Sequence, residues 1–191
     1  MSDINLIQKL IENDEVGDIL YRGTGARRQV KALQNLLHLL GFDNELIWNR
    51  YKADGGYGKA TTKAVSIFCN KNGIQNDGET VTKETADKIV ERYFILDDLM
   101  LFIKIESESK TDSFIYRNSP HPSGIKALQV LLNELGYGEQ MKWDTYGADG
   151  GYCKYTANAV KAFAKDNGME SDGGKVTSAI AKKIILNMNE F

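Results

Sequence analysis

The sequence is poor in the residues on which metal and nucleophile chemistry rest, with two cysteines and two histidines among its 191 residues. A zinc peptidase needs clustered His and acidic ligands, which the isolated His38 and His121 do not provide. A thiol acyl-transferase needs a cysteine and a histidine held together, and Cys153, in Gly-Gly-Tyr-Cys, lacks such neighbours. Neither Cys69 nor Cys153 belongs to a CxxC pair, so the plain reading is one buried thiol and one incidental loop thiol. Such a chain folds in a reducing compartment. No catalytic residue, metal site or cofactor is expected, and the chain is read as not an enzyme.

Net charge is scarce too. The formal value is -2, with Lys and Arg scattered, so no basic face is built for nucleic acid. The longest apolar stretch, around Leu99–Ile105, is far too short to span a bilayer, and no membrane insertion is expected. The opening Met1-Ser2-Asp3-Ile4-Asn5 has no basic n-region and no long apolar core. It reads as lacking a secretory signal, so the expected place of synthesis is the cytoplasm without export by that route. With 42% hydrophobic and 26% charged residues, the chain has the composition of a folded globular protein.

What is present is a repeat. At an offset of about 95 residues, Lys31-Ala32-Leu33-Gln34 returns as Lys126-Ala127-Leu128-Gln129 without a gap. Ala53-Asp54-Gly55-Gly56-Tyr57 returns as Ala148-Asp149-Gly150-Gly151-Tyr152, and Tyr21-Arg22 as Tyr116-Arg117. Ala64, Val65 and Phe68 return as Ala159, Val160 and Phe163, and Asp77-Gly78 as Asp172-Gly173. Two periods account for nearly the whole chain. Residues shared by the copies are candidates for whatever both copies need.

Each unit reads as three helices from its 3.6-residue periodicity. Val30, Leu33, Leu37 and Leu40 mark the first helix, stopped by Gly41; Ile125, Leu128, Leu132, Leu135 and Gly136 repeat it. Thr61, Ala64, Val65 and Phe68 mark the second, which ends at Gly73. The third runs from an N-cap at Thr82 through Ala86, Ile89, Val90 and Tyr93. An extra segment leads each trio: Ile4, Ile7, Leu10 and Ile11 fit a short helix, while Leu99–Ile105 fits a helix or a buried strand and is assigned as helix. The joint at 93–98 has no Pro, Gly or Ser, so the units are expected to pack together rather than swing on a linker. The expected fold is therefore mainly α: two three-helix units, 1–95 and 96–191, each with an extra leading segment, packed as a pseudo-symmetric tandem.

The run Leu20-Tyr21-Arg22-Gly23-Thr24-Gly25, then Val30-Lys31-Ala32-Leu33-Gln34 and Leu40-Gly41-Phe42, resembles the opening of the peptidoglycan-binding-domain family. Asp54-Gly55-Gly56-Tyr57-Gly58-Lys59-Ala60-Thr61 is similar to that family's Asp-Gly-x-aromatic-Gly-x-x-Thr turn, and Ala64-Val65-x-x-Phe68, Asn72-Gly73-Ile74 and Asp77-Gly78 continue the likeness. The resemblance covers about residues 20–93 and 115–188 and implies a small three-helix cell-wall-binding module, present twice. There are departures. Asp43–Lys52 and Gly138–Gly147 look like insertions; Gly23, Gly25 and Gly58 become Asn118, Pro120 and Cys153 in the second copy.

Several residues carry a functional and a structural reading side by side. Trp48 and Trp143, with Tyr51 and Tyr146 three residues on, either stack on sugar faces or pin the insertion to the helices. Tyr57 and Tyr152 pack in the core on first reading and touch ligand on the second. Arg22 and Arg117 suit a stem-peptide carboxylate through the guanidinium fork, or pair with a neighbouring acid. Thr61 and its copy Thr156 start helices and satisfy backbone groups there, or face ligand. The Asp-Gly pairs read as turn formers and helix caps rather than as the carboxylate pair of a glycosidase.

From the resemblance, the expected function is non-catalytic binding of peptidoglycan, glycan or stem peptide, by two modules that gain avidity on a repetitive polymer. The alternative is a structural or adaptor protein of a phage or contractile secretion apparatus, docking other proteins. Delivery by lysis, by a phage particle or by such an apparatus would bring a chain without a signal to the envelope.

Overall fold

A computed structural model describes residues 2–13, 18–109 and 115–190. The chain divides into two compact units, Met1–Phe94 and Ile95–Phe191.

In the first unit α1 (Asp3–Asn13) packs on α2 (Arg27–Leu39). Ile4 and Ile7 are buried there, and Asn35 donates a 2.8 Å hydrogen bond to Asp3 at the edge of the contact. Helix α2 closes as its sequence requires: Gly41 takes φ 88°, its N–H meets the His38 carbonyl at 2.9 Å, and the Phe42 N–H reaches Leu37 at 3.0 Å. Helix α5 (Lys59–Lys71) ends with the same pair of bonds around Gly73, from Gly73 to Asn70 and from Ile74 to Cys69. Val30, Leu33, Leu36 and Leu37 from α2 meet Ala64, Val65 and Phe68 from α5 in one core, joined by Ala86 and Ile89 from α6 (Lys83–Ser109). The Thr82 hydroxyl accepts the Thr85 N–H at 3.3 Å, which is the expected cap.

The insertion is two single helical turns, α3 (Asp43–Leu46) and α4 (Trp48–Tyr51), joined through Ile47 in the left-handed conformation (φ 51°). Leu46 from α3 is buried beside Phe42, whose ring meets Phe68 edge-on at 5.7 Å.

The second unit repeats this plan. Helix α7 (Pro122–Leu132) runs into a wide turn at Asn133–Tyr137 with Gly136 at φ 91°, followed by α8 (Gly138–Met141), α9 (Trp143–Tyr146), α10 (Lys154–Asp166) and α11 (Ser178–Glu190). Lys142 takes the joint held by Ile47 in the first copy, with φ 54°. Asn118, at the position of Gly23, adopts φ 65°, a conformation Asn tolerates better than most residues. Cys153, at the position of Gly58, keeps φ near -103°, so a side chain is admitted without strain.

Two features differ from the sequence reading. Each unit carries a two-stranded antiparallel ribbon that periodicity does not reveal: β1 (Asp18–Tyr21) with β2 (Thr80–Thr82), and β3 (Ile115–Tyr116) with β4 (Lys175–Val176). Such short strands give too few residues for an alternating pattern. The third helix of the first unit and the Leu99–Ile105 segment are also one element, α6, since 93–98 contains no breaker. Leu96 and Leu99 are buried.

The glycine of the second Asp-Gly turn is the tightest point. Gly78 has φ 84°, and a Cβ there would overlap the Thr62 carbonyl; Gly173 has φ 79°, and its Cβ would overlap that of Ala157. Gly78→Ala is expected to lower stability by about 2–4 kcal/mol in urea unfolding. Gly58→Ala, at φ -107° with nothing within 4 Å, is expected to stay within about 1 kcal/mol of the parent.

Candidate functional site

Gln34 is a polar residue in the middle of an apolar helix face, and it is buried. Its amide nitrogen donates to Asp54 Oδ1 (2.9 Å), the Gly56 carbonyl (3.1 Å) and Thr61 Oγ1 (3.1 Å). Its oxygen accepts the Gly55 N–H at 2.9 Å. Thr61 in turn donates to Gly56 (3.2 Å), and Asp54 Oδ1 accepts the Gly56 N–H (2.8 Å). The second unit copies every bond. Gln129 donates to Asp149, Gly151 and Thr156 at 2.8, 3.2 and 3.2 Å and accepts from Gly150 at 2.9 Å. Gly55 must be glycine as well: it has φ 77°, and a Cβ would stand 2.7 Å from the Arg27 carbonyl.

The turn so fixed places Tyr57. Its ring is buried and its hydroxyl donates to the Gly78 carbonyl at 2.9 Å; Tyr152 does the same to Gly173 at 2.7 Å. Each tyrosine thus ties the first Asp-Gly turn to the second. Burial pushes both phenols well above their ordinary pKa, with the nearby Cys69, Glu79 and Asp77 adding to the effect on Tyr57 and Asp172 to that on Tyr152.

The structure sorts the sequence candidates into three groups. Tyr57, Thr61, Tyr152 and Thr156 lie inside, with their hydroxyls committed to backbone carbonyls, so they shape the turn and offer no polar atom to a ligand. Arg22 lies at the rim, where its guanidinium meets Glu79 at 2.9 Å with both side chains 44% exposed. Arg117 is exposed but has no such acid, because Gly174 stands where Glu79 does in the first copy. The aromatic residues of the insertion form the third group. Trp48 lies flat on His38 (3.9 Å between rings, 11° apart), with Lys52 Nζ 5.8 Å from its centroid, and His38 Nδ1 bonds Asp43. Tyr51 is exposed under Arg50 at 5.1 Å. Trp143 is half-buried, and the exposed Tyr146 stacks on Tyr155.

Three corrections follow. The carboxylates of Asp54 and Asp149 accept from the Gly56 and Gly151 N–H and from the Gln34 and Gln129 amides, and the following helices carry no side-chain cap. Gln34 and Gln129 were not singled out for a role, although a polar residue repeated within an apolar stripe is the signal that would have found them. Lys142 and Tyr155 were missed because Ile47 and Ala60 stand at their positions in the first copy, and Lys154, shared as Lys59, carries no signal by itself. Cys69 is buried beside Thr85, and its thiol is raised by burial, with the Thr85 bond opposing; Cys153 is exposed. Among the described residues no group of three His, Cys, Asp or Glu side chains could hold a metal ion.

A family model described as "Putative peptidoglycan binding domain" matches residues 26–89 and again 121–184. The chain belongs to that family and carries its domain twice. Among curated proteins it is similar to the N-acetylmuramoyl-L-alanine amidase CwlL of Bacillus licheniformis, with 32% identity over 179 residues, covering 88% of this chain and 46% of the relative. A protein named "Probable N-acetylmuramoyl-L-alanine amidase" from the same organism is 30% identical over 159 residues, covering 82% of this chain and 42% of its own length. The chain therefore spans less than half the length of these relatives. No solved structure matches it. The expectation that the chain is not an enzyme is overturned by these two amidase names. That expectation rested on missing Cys–His and His–acid clusters and on two repeats that account for nearly the whole chain, which speak only for the residues at hand, while both relatives are more than twice as long as the matched part.

Gln34→Leu, which leaves the buried Gly55 N–H without its acceptor and removes the donor shared by Asp54, Gly56 and Thr61, is expected to cost about 2–4 kcal/mol. Hydrogen exchange should show the loss in residues 20–93. The phenols set a second expectation. A raised folded-state pKa gives stability that is whole below the unfolded phenol value of about 10 and falls as pH rises beyond it. Urea midpoints should drop above that pH, and less steeply in Tyr57→Phe.

Proposed function

We propose that the chain holds bacterial peptidoglycan through both of its modules and thereby serves an N-acetylmuramoyl-L-alanine amidase. The observation that carries this reading is the bond-for-bond repetition of the Gln–Asp-Gly-Gly–Thr turn in two domains of the peptidoglycan-binding family. Similarity to two proteins named as amidases over more than four-fifths of the chain adds the activity that the modules serve. In this reading the contacts to glycan come from Trp48 and Tyr51 in the first unit and from Trp143 and Tyr146 in the second. These rings stand on the inserted turns, and flat aromatic faces complement the apolar faces of sugar rings. Arg117, exposed and with Gly174 in place of the acid that pairs with Arg22, reaches stem-peptide carboxylates; Arg22 does so only in competition with Glu79.

Two weak sites on one chain bind a repetitive polymer far more tightly than either alone. The wall mesh offers such repetition. Delivery to the envelope is part of the proposal. Neither relative's name concerns a phage or secretion apparatus, and nothing in the structure favours the adaptor alternative.

Co-sedimentation of the chain with isolated sacculi tests the reading. Saturable binding is expected, with Trp48→Ala or Trp143→Ala weakening it about three- to tenfold, or about 0.7–1.4 kcal/mol. Absence of binding at high protein concentration would refute it. Release of new amino termini from the same sacculi, measured in parallel, locates the amidase activity relative to these residues.

A further inference from the structure

The two units share a backbone but not a surface. At the joint between α8 and α9, Lys142 takes the left-handed position that Ile47 takes in the first unit, and the first turn of α10 presents Lys154 and Tyr155. Lys142 Nζ lies 4.8 Å and Lys154 Nζ 5.0 Å from the centre of the Tyr155 ring. Tyr146 from α9 stacks on that ring at 5.6 Å and 23°, and is itself 50% exposed. In the first unit the four positions are Ile47, Tyr51, Lys59 and Ala60, so the ring on which the cations converge is missing.

We propose that Lys142, Lys154, Tyr155 and Tyr146 form an anion-recognition site, specific to the second unit, for a carboxylate or phosphate group carried on the wall polymer. Two ammonium groups drawn to one ring repel each other, and among the described residues neither forms an ion pair with a carboxylate. The Tyr155 phenol registers the resulting positive potential: its pKa is lowered by the hydrogen bond and charge of Lys142, then by the charge of Lys154. An anion that takes up this charge relieves the repulsion, while the tyrosine pair gives an apolar face to the sugar or peptide that carries it. The left-handed joint occurs in both units and so belongs to the scaffold; the side chain placed on it differs.

The site rests on the wall-binding reading for the identity of its ligand, and the test separates the two. The full chain, a Lys142→Glu/Lys154→Glu variant and a Lys59→Glu control are sedimented with sacculi, before and after hydrofluoric acid removes phosphodiester polymers. The charge-reversed pair is expected to lose about tenfold in affinity, the first-unit control less than about twofold, and parental binding should weaken with salt. A difference between parent and double variant that persists on stripped sacculi identifies a carboxylate; a difference that disappears there identifies a phosphate. Equal binding by the double variant and the parent would overturn the site. In parallel, amide shifts are followed by NMR during titration with inorganic phosphate and with acetate. Saturating shifts at 142, 146, 154 and 155 that vanish in the double variant are expected whether or not sacculi bind. Their absence, or equal shifts at 47, 51, 59 and 60, would overturn the site by itself; their presence without sacculus binding would sink only the wall reading.

Discussion

One buried amide in each unit sets the conformation on which the rest depends. Gln34 and Gln129 sit in the apolar face of a helix and turn their amides toward a glycine-rich loop, bonding the N–H of Gly55 or Gly150, the carbonyl of Gly56 or Gly151 and the carboxylate of Asp54 or Asp149. A buried carboxamide without partners would cost about 1–3 kcal/mol for each unmet group, so helix and loop are obliged to form together. The loop then delivers Tyr57 or Tyr152 to the core, and that hydroxyl fixes the second Asp-Gly turn, which leads into the short ribbon and the third helix. Turns with little hydrophobic content are in this way tied to the core beneath them.

On this common frame the copies have diverged at the rim. The first unit pairs Arg22 with Glu79 and covers Trp48 with His38, so part of its polar and aromatic surface is already engaged. The second has Gly174 and Asn133 at the positions of Glu79 and His38, leaving Arg117 without the acid and Trp143 without the histidine ring. It adds a cationic and aromatic cluster at Lys142, Tyr146, Lys154 and Tyr155. Duplication followed by such exchange gives one chain two related surfaces of different charge. A polymer that combines sugar faces with acidic substituents is suited to both.

The internal repeat, the helical periodicity and the glycine punctuation together exposed most of the fold. Gly41, Gly73 and Gly136 stop helices where the sequence places them, because a left-handed residue is a local requirement that a single residue type meets. The strands escaped notice because their pairing is between segments some 60 residues apart, which no local window contains. The site was legible only in part. Tyr57, Thr61 and their copies drew attention because they repeat, yet repetition marks whatever both units need, and both units need first to fold. Lys142 and Tyr155 occur in one copy only, so a comparison between copies passes over the cluster that they complete with Tyr146 and Lys154.

The sequence by itself determined that the chain is a duplicated, mainly helical unit, since each helix, cap and turn answers to residues within a few positions of it. Tertiary structure alone decided which repeated residues are scaffold and which face solvent. It buried the repeated tyrosines and threonines, paired Arg22 with Glu79, and drew two lysines onto a single ring. Those outcomes depend on distances between groups far apart in the chain, where a side chain's partner is fixed by packing and not by spacing.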